Sequence, residues 1–323
     1  MFSYPTATAQ HLSSQRLEQQ AALSEVRSQW RRMGADFDAS WAVIVGSVVG
    51  VTESAQRRVA RSSAAYVPDV LDDLGRSSDI GSSARVSVGP LVGVTGAGIG
   101  LAESFFASVI FAKIGVSRGL TTPQSLARGE NILMGRASLA ISDAGRAAER
   151  VRLAPTRVTH YQRALTLPSC SRCVVLAGRL YRMEQAFQRH AQCDCRHIPS
   201  GQMEDGPTGD AQEYFESLSE AEQDRIFTKA GAEAIRNGAD INQVVNARRG
   251  MYTTTGYDGK QWKFTREGTT RRGSYGSGFR SPRYEGVQQP KTPRRLMPEQ
   301  IQAIARDKEE YLRLLDRHGY FYY

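Results

Sequence analysis

The sequence predicts a mainly α-helical (α+β) protein: a helical N-terminal region, a small cysteine-containing domain, a basic arm and a C-terminal helix. Three observations lead there. The first 150 residues are rich in Ala, Ser, Gln and Arg, with apolar residues at helical rather than alternating spacing. All four cysteines and two of the five histidines fall between Cys170 and His197. Past Gly250 aliphatic residues thin out and basic ones accumulate, until a helical pattern resumes at Pro298. With 323 residues, the chain has room for two domains of ~100–200 residues each.

In order, residues 8–33 carry Leu12, Leu17, Leu23, Val26 and Trp30 with charge and amide between, which predicts a first helix. Asp38 is placed to cap a second, because its side chain accepts from the free amides of a first turn. That helix runs through WAVIVGSVVGVTESAQRRVARSSAAYV and is expected to stop near Pro68. The Gly/Ser-rich interval Gly75–Gly100 reads as loop or a short strand and turn. Its Gly96-x-Gly98-x-Gly100 lacks both the G-x-G-x-x-G spacing and the acidic residue of a dinucleotide fingerprint, so it reads as a flexible turn or a tight helix entry. Two helices follow, Leu101–Val116 and Pro123–Leu153, the latter with Thr122 as cap and Leu126, Ile132, Leu133, Leu139 and Ile141 on its apolar face. Pro155 bounds a helical region over 1–154.

A second domain is expected over 155–250. Val158–Leu167 fits a helix or a strand. After the cysteines and a loop past Pro199, Ser219-x-x-Glu222 forms a capping box. The helix it starts carries Ile226, Phe227, Ala230, Ala234 and Ile235 and ends at Asn237-Gly238. A shorter helix covers Ile241–Arg249. Residues 251–297 have too little aliphatic content to bury a core and read as a flexible basic linker. Residues 298–323 read as one amphipathic helix with Ile301, Ile304, Leu312 and Leu315 on its stripe.

The net charge of +9 is local. Between Met251 and Arg295 ten basic side chains face three acidic ones. Arg271, Arg272, Arg280, Arg283, Lys291, Arg294 and Arg295 are the candidates for contact with phosphates or an acidic partner. Interleaved Tyr252, Tyr257, Trp262, Phe264, Tyr275, Phe279 and Tyr284 are candidates to stack on exposed bases. The apolar runs Trp41–Val51 and Leu91–Ile114 never reach ~20 uninterrupted apolar residues, so no membrane association is expected.

Cys170-x-x-Cys173 is the two-ligand turn of structural zinc sites, where a tight turn aims two thiolates at one point. His190-x-x-Cys193-x-Cys195-x-His197 adds four more candidates. The favoured set is Cys170 and Cys173 with one or both of Cys193 and Cys195, then His190, then His197. A catalytic metal needs an open position and a general base; inside the cluster the carboxylates are Glu184 and Asp194, and no HExxH arrangement exists. The expected cofactor is therefore a structural zinc. Outside the cluster remain His11, His160 and His318, each expected to be a surface or hydrogen-bonded polar residue. There is no G-x-S-x-G and no catalytic residue is assigned.

These residues resemble the characteristic end of the MuF-like minor head (head morphogenesis) proteins of tailed bacteriophages, whose second half usually reads His-Pro-x-Cys-Arg-Cys. Here Ala191 stands where Pro is usual and Asp194 where Arg is usual, with Arg196 two steps later. CDCRHIP and Gly238–Met251 (GADINQVVNARRGM) are similar to versions from phages of actinobacteria. The resemblance spans about residues 160–250. It implies a minor capsid protein acting in head morphogenesis, associated with the portal inside the capsid and present in the host cytoplasm during assembly. Major capsid or scaffold proteins are implied as further partners, and packaged DNA as a non-specific one. Related proteins are also labelled capsid maturation proteases, which is the alternative activity. A zinc-containing, non-specific DNA-binding protein is a third reading.

Overall fold

Helices dominate because seams of apolar and small residues recur every three to four positions over long stretches of the first half. The computed structural model describes residues 2–77, 86–185, 195–200, 207, 209–256, 259–270, 273–276 and 294–321. His190, Cys193, Arg271, Arg272, Arg280, Arg283 and Lys291, with Tyr257, Phe279 and Tyr284, lie outside the described residues. The protein is mainly α-helical with two small antiparallel sheets, an α+β architecture. None of its described helices is long and apolar enough to cross a membrane.

The chain divides into two compact units. One comprises Ser3–Leu167 and Ala177–Thr208; the other comprises Met1–Phe2, Pro168–Leu176 and Gly209–Tyr323. The expected boundaries at 154 and 250 are corrected accordingly. The strands after residue 155 complete the helical core, while residues 209–250 pack with the C-terminal segments.

The helical unit contains α1 (Thr6–Trp30), α2 (Phe37–Asp73), α3 (Leu101–Ser117) and α4 (Thr122–Leu153). On α1 the buried seam is Thr8, His11, Leu12, Gln15, Gln19, Ala22, Val26 and Trp30, whereas Leu17 is exposed. Buried glutamines are tolerated because each is bonded: Gln19 Nε2 donates to the Ser138 carbonyl and the Ser142 hydroxyl, both at 2.9 Å. Pro5 at the N-cap brings no side-chain acceptor; instead Asp73 Oδ2, from the end of α2, accepts from Ala7 N at 2.6 Å.

Asp36 rather than Asp38 caps α2, accepting from Ala39 N at 3.0 Å. Asp38 pairs with Lys113 of α3. The expected stop at Pro68 does not occur: α2 continues to Asp73 because Val67, Val70 and Leu71, buried around the proline, anchor the last turns. The cap of α4 is Thr121, one residue earlier than expected, in a capping box with Gln124. Gly98, at φ +78°, makes the tight entry to α3. Gly145 lets α4 approach α2, since a Cβ there would lie 2.8 Å from Val59 Cγ1 and 2.9 Å from Ser63 Oγ. Trp30, Trp41, Ile44, Phe105, Val109 and Leu133 center the main core.

The segment left open between helix and strand forms a central strand, β1 (His160–Ala164). It pairs with β2 (Leu180–Arg182) and, over its whole length, with β3 (Arg196–Ser200). Every residue of β3 is buried, and the strand packs against α2 and α4.

The C-terminal unit holds α5 (Ser171–Val174), α6 (Ala211–Glu216), α7 (Glu220–Phe227), α8 (Lys229–Arg236), α9 (Ile241–Ala247), strands β4 (Met251–Thr255), β5 (Gln261–Thr265) and β6 (Arg295–Leu296), then α10 (Pro298–Ile304) and α11 (Lys308–Arg317). The Ser219/Glu222 capping box forms as expected. The helix it starts is shorter than expected: Thr228, at φ +67°, breaks it into α7 and α8 and caps the second piece through Gly231 N. Gly238, at φ +92°, takes the left-handed conformation expected after a helix end.

Two further expectations are corrected. The start of the basic tract is a β-hairpin, β4–β5, extended by β6, because Tyr252, Trp262 and Phe264 share one face and Phe264 is buried. The terminal helix is two helices, with Asp307 recapping the chain at Glu310 N, 2.8 Å away.

Candidate functional site

Cys170 sits at the N-cap of α5, and its Sγ accepts from Cys173 N at 3.4 Å. Cys173 is buried on the same turn and Cys170 half-buried. A tight turn that carries both sulfurs suits the chemistry of a two-thiolate half-site. Cys195 and His197 belong to the helical unit. Cys195 is fully buried at the entrance to β3, its carbonyl accepting from Arg146 Nη1 at 3.0 Å. Among the described residues no group of three or more His, Cys, Asp or Glu is arranged to hold a metal.

His197 has a well-defined partner in Glu149, near the end of α4. Its ring Nδ1 lies 2.6 Å from Glu149 Oε2, and its backbone N donates to the same oxygen at 3.3 Å. The other carboxylate oxygen faces His11 Nε2 at 3.2 Å and accepts from Ser63 Oγ at 3.3 Å. Arg196 brings its Nε to 3.9 Å of Oε1, and its two terminal nitrogens donate to the Ser142 carbonyl and Gln15 Oε1, each at 3.0 Å. Tyr66 stacks on His11 with ring centroids 4.2 Å apart and donates its hydroxyl to the His197 carbonyl at 3.1 Å. One carboxylate thus ties together α1, α2, α4 and β3.

Burial alone would push the Glu149 carboxyl up. The hydrogen bonds from His11 and His197, with the charge of Arg196, outweigh it and hold the group well below the usual carboxylate range. Burial lowers His197, and the pull of Glu149 restores it incompletely, so the neutral ring donates through Nδ1–H. Burial also raises the Tyr66 hydroxyl, with Thr8 opposing. A carboxylate-oriented imidazole recurs in metal sites; here it anchors a strand.

Ser63, His11 and Glu149 are the residue types of a hydrolytic triad, but their geometry differs from one. A triad divides the two imidazole nitrogens between nucleophile and carboxylate. Here Nε2 faces both, Ser63 lies 3.5 Å from it, and the hydroxyl donates straight to Glu149. His11 and Tyr66 also line a groove of about 650 Å³ between α1 and α2, with Asp69, Asp72 and Asp73 at its rim. Two of those carboxylates have internal bonds: Asp73 to Ala7 N and Asp72 to Ser77 Oγ.

No family model, curated protein or solved structure matches the chain.

In the basic tract Arg294 is exposed, with its guanidinium 5.6 Å from the center of the Phe264 ring. Arg295 is buried and leaves the set of contact candidates. It donates to the carbonyls of His318 (2.7 Å), Glu267 (3.0 Å) and Gly319 (2.9 Å) and lies over Tyr320. Phe264 and Tyr275 are likewise buried, so they offer no stacking surface to bases. Glu149 escaped the sequence reading because a Glu between Arg residues looks solvated, while His11 is a hydrogen-bonded polar residue as expected. The signal was the α4 seam Ser138, Ser142, Gly145, Glu149, whose spacing of three to four places Glu149 on the small, buried face.

Proposed function

We propose that this protein is a MuF-like minor head protein of a tailed bacteriophage. It acts in head morphogenesis, associates with the portal inside the capsid, and contains a structural zinc with Cys170 and Cys173 among its ligands. The observation that carries this reading joins sequence to geometry. Two stretches behind the resemblance, the Cys170–Cys173 turn and Gly238–Met251, lie far apart in sequence yet meet in one compact unit, where α5 packs against α9. Zinc at such a turn supplies folding stability rather than reactivity. The internal engagement of His11, Ser63, Glu149 and His197 supports a structural role for the helical unit. Exposed Arg294 and the rest of the basic tract suit non-specific contact with packaged DNA or an acidic face of the portal, major capsid or scaffold protein.

Co-expression with the portal, scaffold and major capsid proteins of the same genome tests the reading. The chain is expected to co-purify with assembled heads, and charge reversal at Arg271, Arg272, Arg280, Arg283, Lys291 and Arg294 to release it. Heads that assemble normally and exclude the chain would sink the proposal. Cleavage of the major capsid protein that a single substitution in this chain abolishes would establish the maturation protease instead.

A further inference from the structure

Helix α3 buries Leu101, Phe105, Val109 and Ala112 against α2 and α4, and turns a second apolar stripe outward. Phe106 and Ile110 are 37 % and 45 % exposed. Glu103 and Lys113 stand on the same line, one before and one after the apolar pair, and both are exposed. Lys113 pairs with Asp38, whereas Glu103 has no hydrogen bond or ion pair among the described residues.

The order along the stripe is acid, apolar, apolar, base, at spacings of three, four and three residues. That spacing is palindromic about Ser108, and the charges at its two ends are opposite. Reversing the helix therefore lays Glu103 over Lys113 and Phe106 over Ile110. At a rise of ~1.5 Å per residue the two ionic contacts fall ~15 Å apart, with the apolar pairs between them. A parallel copy would set Glu103 against Glu103 and Lys113 against Lys113. Three- and four-residue spacing is also the repeat that lets two helices keep one seam in contact.

We propose that the outer face of α3 is the contact surface for a second copy of this chain, packed antiparallel about a two-fold axis at Ser108. Each residue meets its complement on the other copy, as an isologous interface requires. A single helix pair buries less than the ~1,200 Å² of a standard interface, so the dimer is expected to be reversible and micromolar. This inference is independent of the head-protein reading.

Sedimentation equilibrium of the full chain over a micromolar range tests it, with circular dichroism to check that each variant is folded. The wild type is expected to show a reversible monomer–dimer equilibrium. Glu103→Lys turns two attractions into repulsions and should weaken association about tenfold or more. The double swap Glu103→Lys/Lys113→Glu, made together with Asp38→Asn because Asp38 faces Lys113, should restore it to within about threefold, since only an antiparallel pair regains both contacts. Phe106→Asp should leave monomer throughout. A wild type that stays monomeric overturns the proposal. So does a dimer indifferent to Glu103→Lys and Phe106→Asp, or a folded double swap that fails to recover.

Discussion

Replacing Glu149 by Gln removes one charge from the center of the helical unit and changes almost no volume. Its carboxylate is fully buried and receives the His197 ring and backbone N–H, Ser63 and His11. A Gln oxygen can keep the 2.6 Å contact with His197 Nδ1, while the His11 ring and Ser63 hydroxyl turn to accept from the new amide. What cannot be kept is the charge. At 3.9 Å from Arg196 Nε, an effective dielectric of ~20 makes that attraction about 4 kcal/mol. The Ser142 and Gln15 oxygens already bonded to Arg196 offset part of the loss, leaving an expected destabilisation of about 3 kcal/mol. Glu149→Ala strands the donors as well and should cost about 5 kcal/mol.

Urea unfolding followed by far-UV circular dichroism measures both variants. A pH series adds a readout that packing alone would not move. The depressed Glu149 pKa contributes stability that is fully present above about pH 4.5, its unperturbed value, and is lost as pH falls further. The Gln variant should lack that loss, flattening the acid limb by about 1.4 kcal/mol per pH unit. A Gln variant within about 0.5 kcal/mol of wild type, with an unchanged acid limb, would refute the view that this carboxylate holds the unit together.

In the C-terminal unit, burial depresses His318 to about 4, and its neutral Nδ1 accepts from Leu296 N at 3.3 Å. Stability from this group is present above about pH 6.5 and falls by about 3 kcal/mol as pH drops to 4; His318→Asn, which keeps an acceptor, should abolish that dependence in denaturant titrations. Arg295→Met removes the donors to three carbonyls and should cost about 3 kcal/mol in the same assay. Gly145→Ala drives a methyl against Val59 and Ser63 and should destabilise by about 1–3 kcal/mol, whereas Gly46→Ala, on the exposed side of α2 with open space around it, should stabilise by about 0.5–1 kcal/mol; thermal melts report both signs. Elemental analysis should find about one zinc per chain, held less firmly in Cys170→Ser; metal-free protein whose stability is unchanged by that substitution would remove zinc from the reading.

The helical first half was legible because its signals are local. The Ser219/Glu222 box, the stop at Gly238 and the core positions Val26, Trp30, Leu133 and Ile141 all follow from spacings within a few turns. The misplaced boundaries have a common cause. Pro68 reads locally as a stop, but the buried residues around it outweigh one missing hydrogen bond. Thr228 carries no breaking signal, yet the φ of +67° it adopts frees its hydroxyl to accept from both Gly231 N and Arg248. The hairpin at 251–265 was hidden because its composition suggests no core, although its alternate aromatics were in view.

The sequence by itself determined the helical class, the Ser219 cap and the presence of a thiol turn suited to a metal, since each depends on neighbours within one or two turns. Only the tertiary structure decided that Asp73 caps a helix 66 residues away, that Arg295 faces inward, and that Glu149 and His197 meet across the core. It also decided which side of α3 is left uncovered. Charge and periodicity show that a polar side chain exists on a face. Whether that face meets water or a partner depends on segments far away in sequence, and the cost of leaving a buried charge unpaired forces them together.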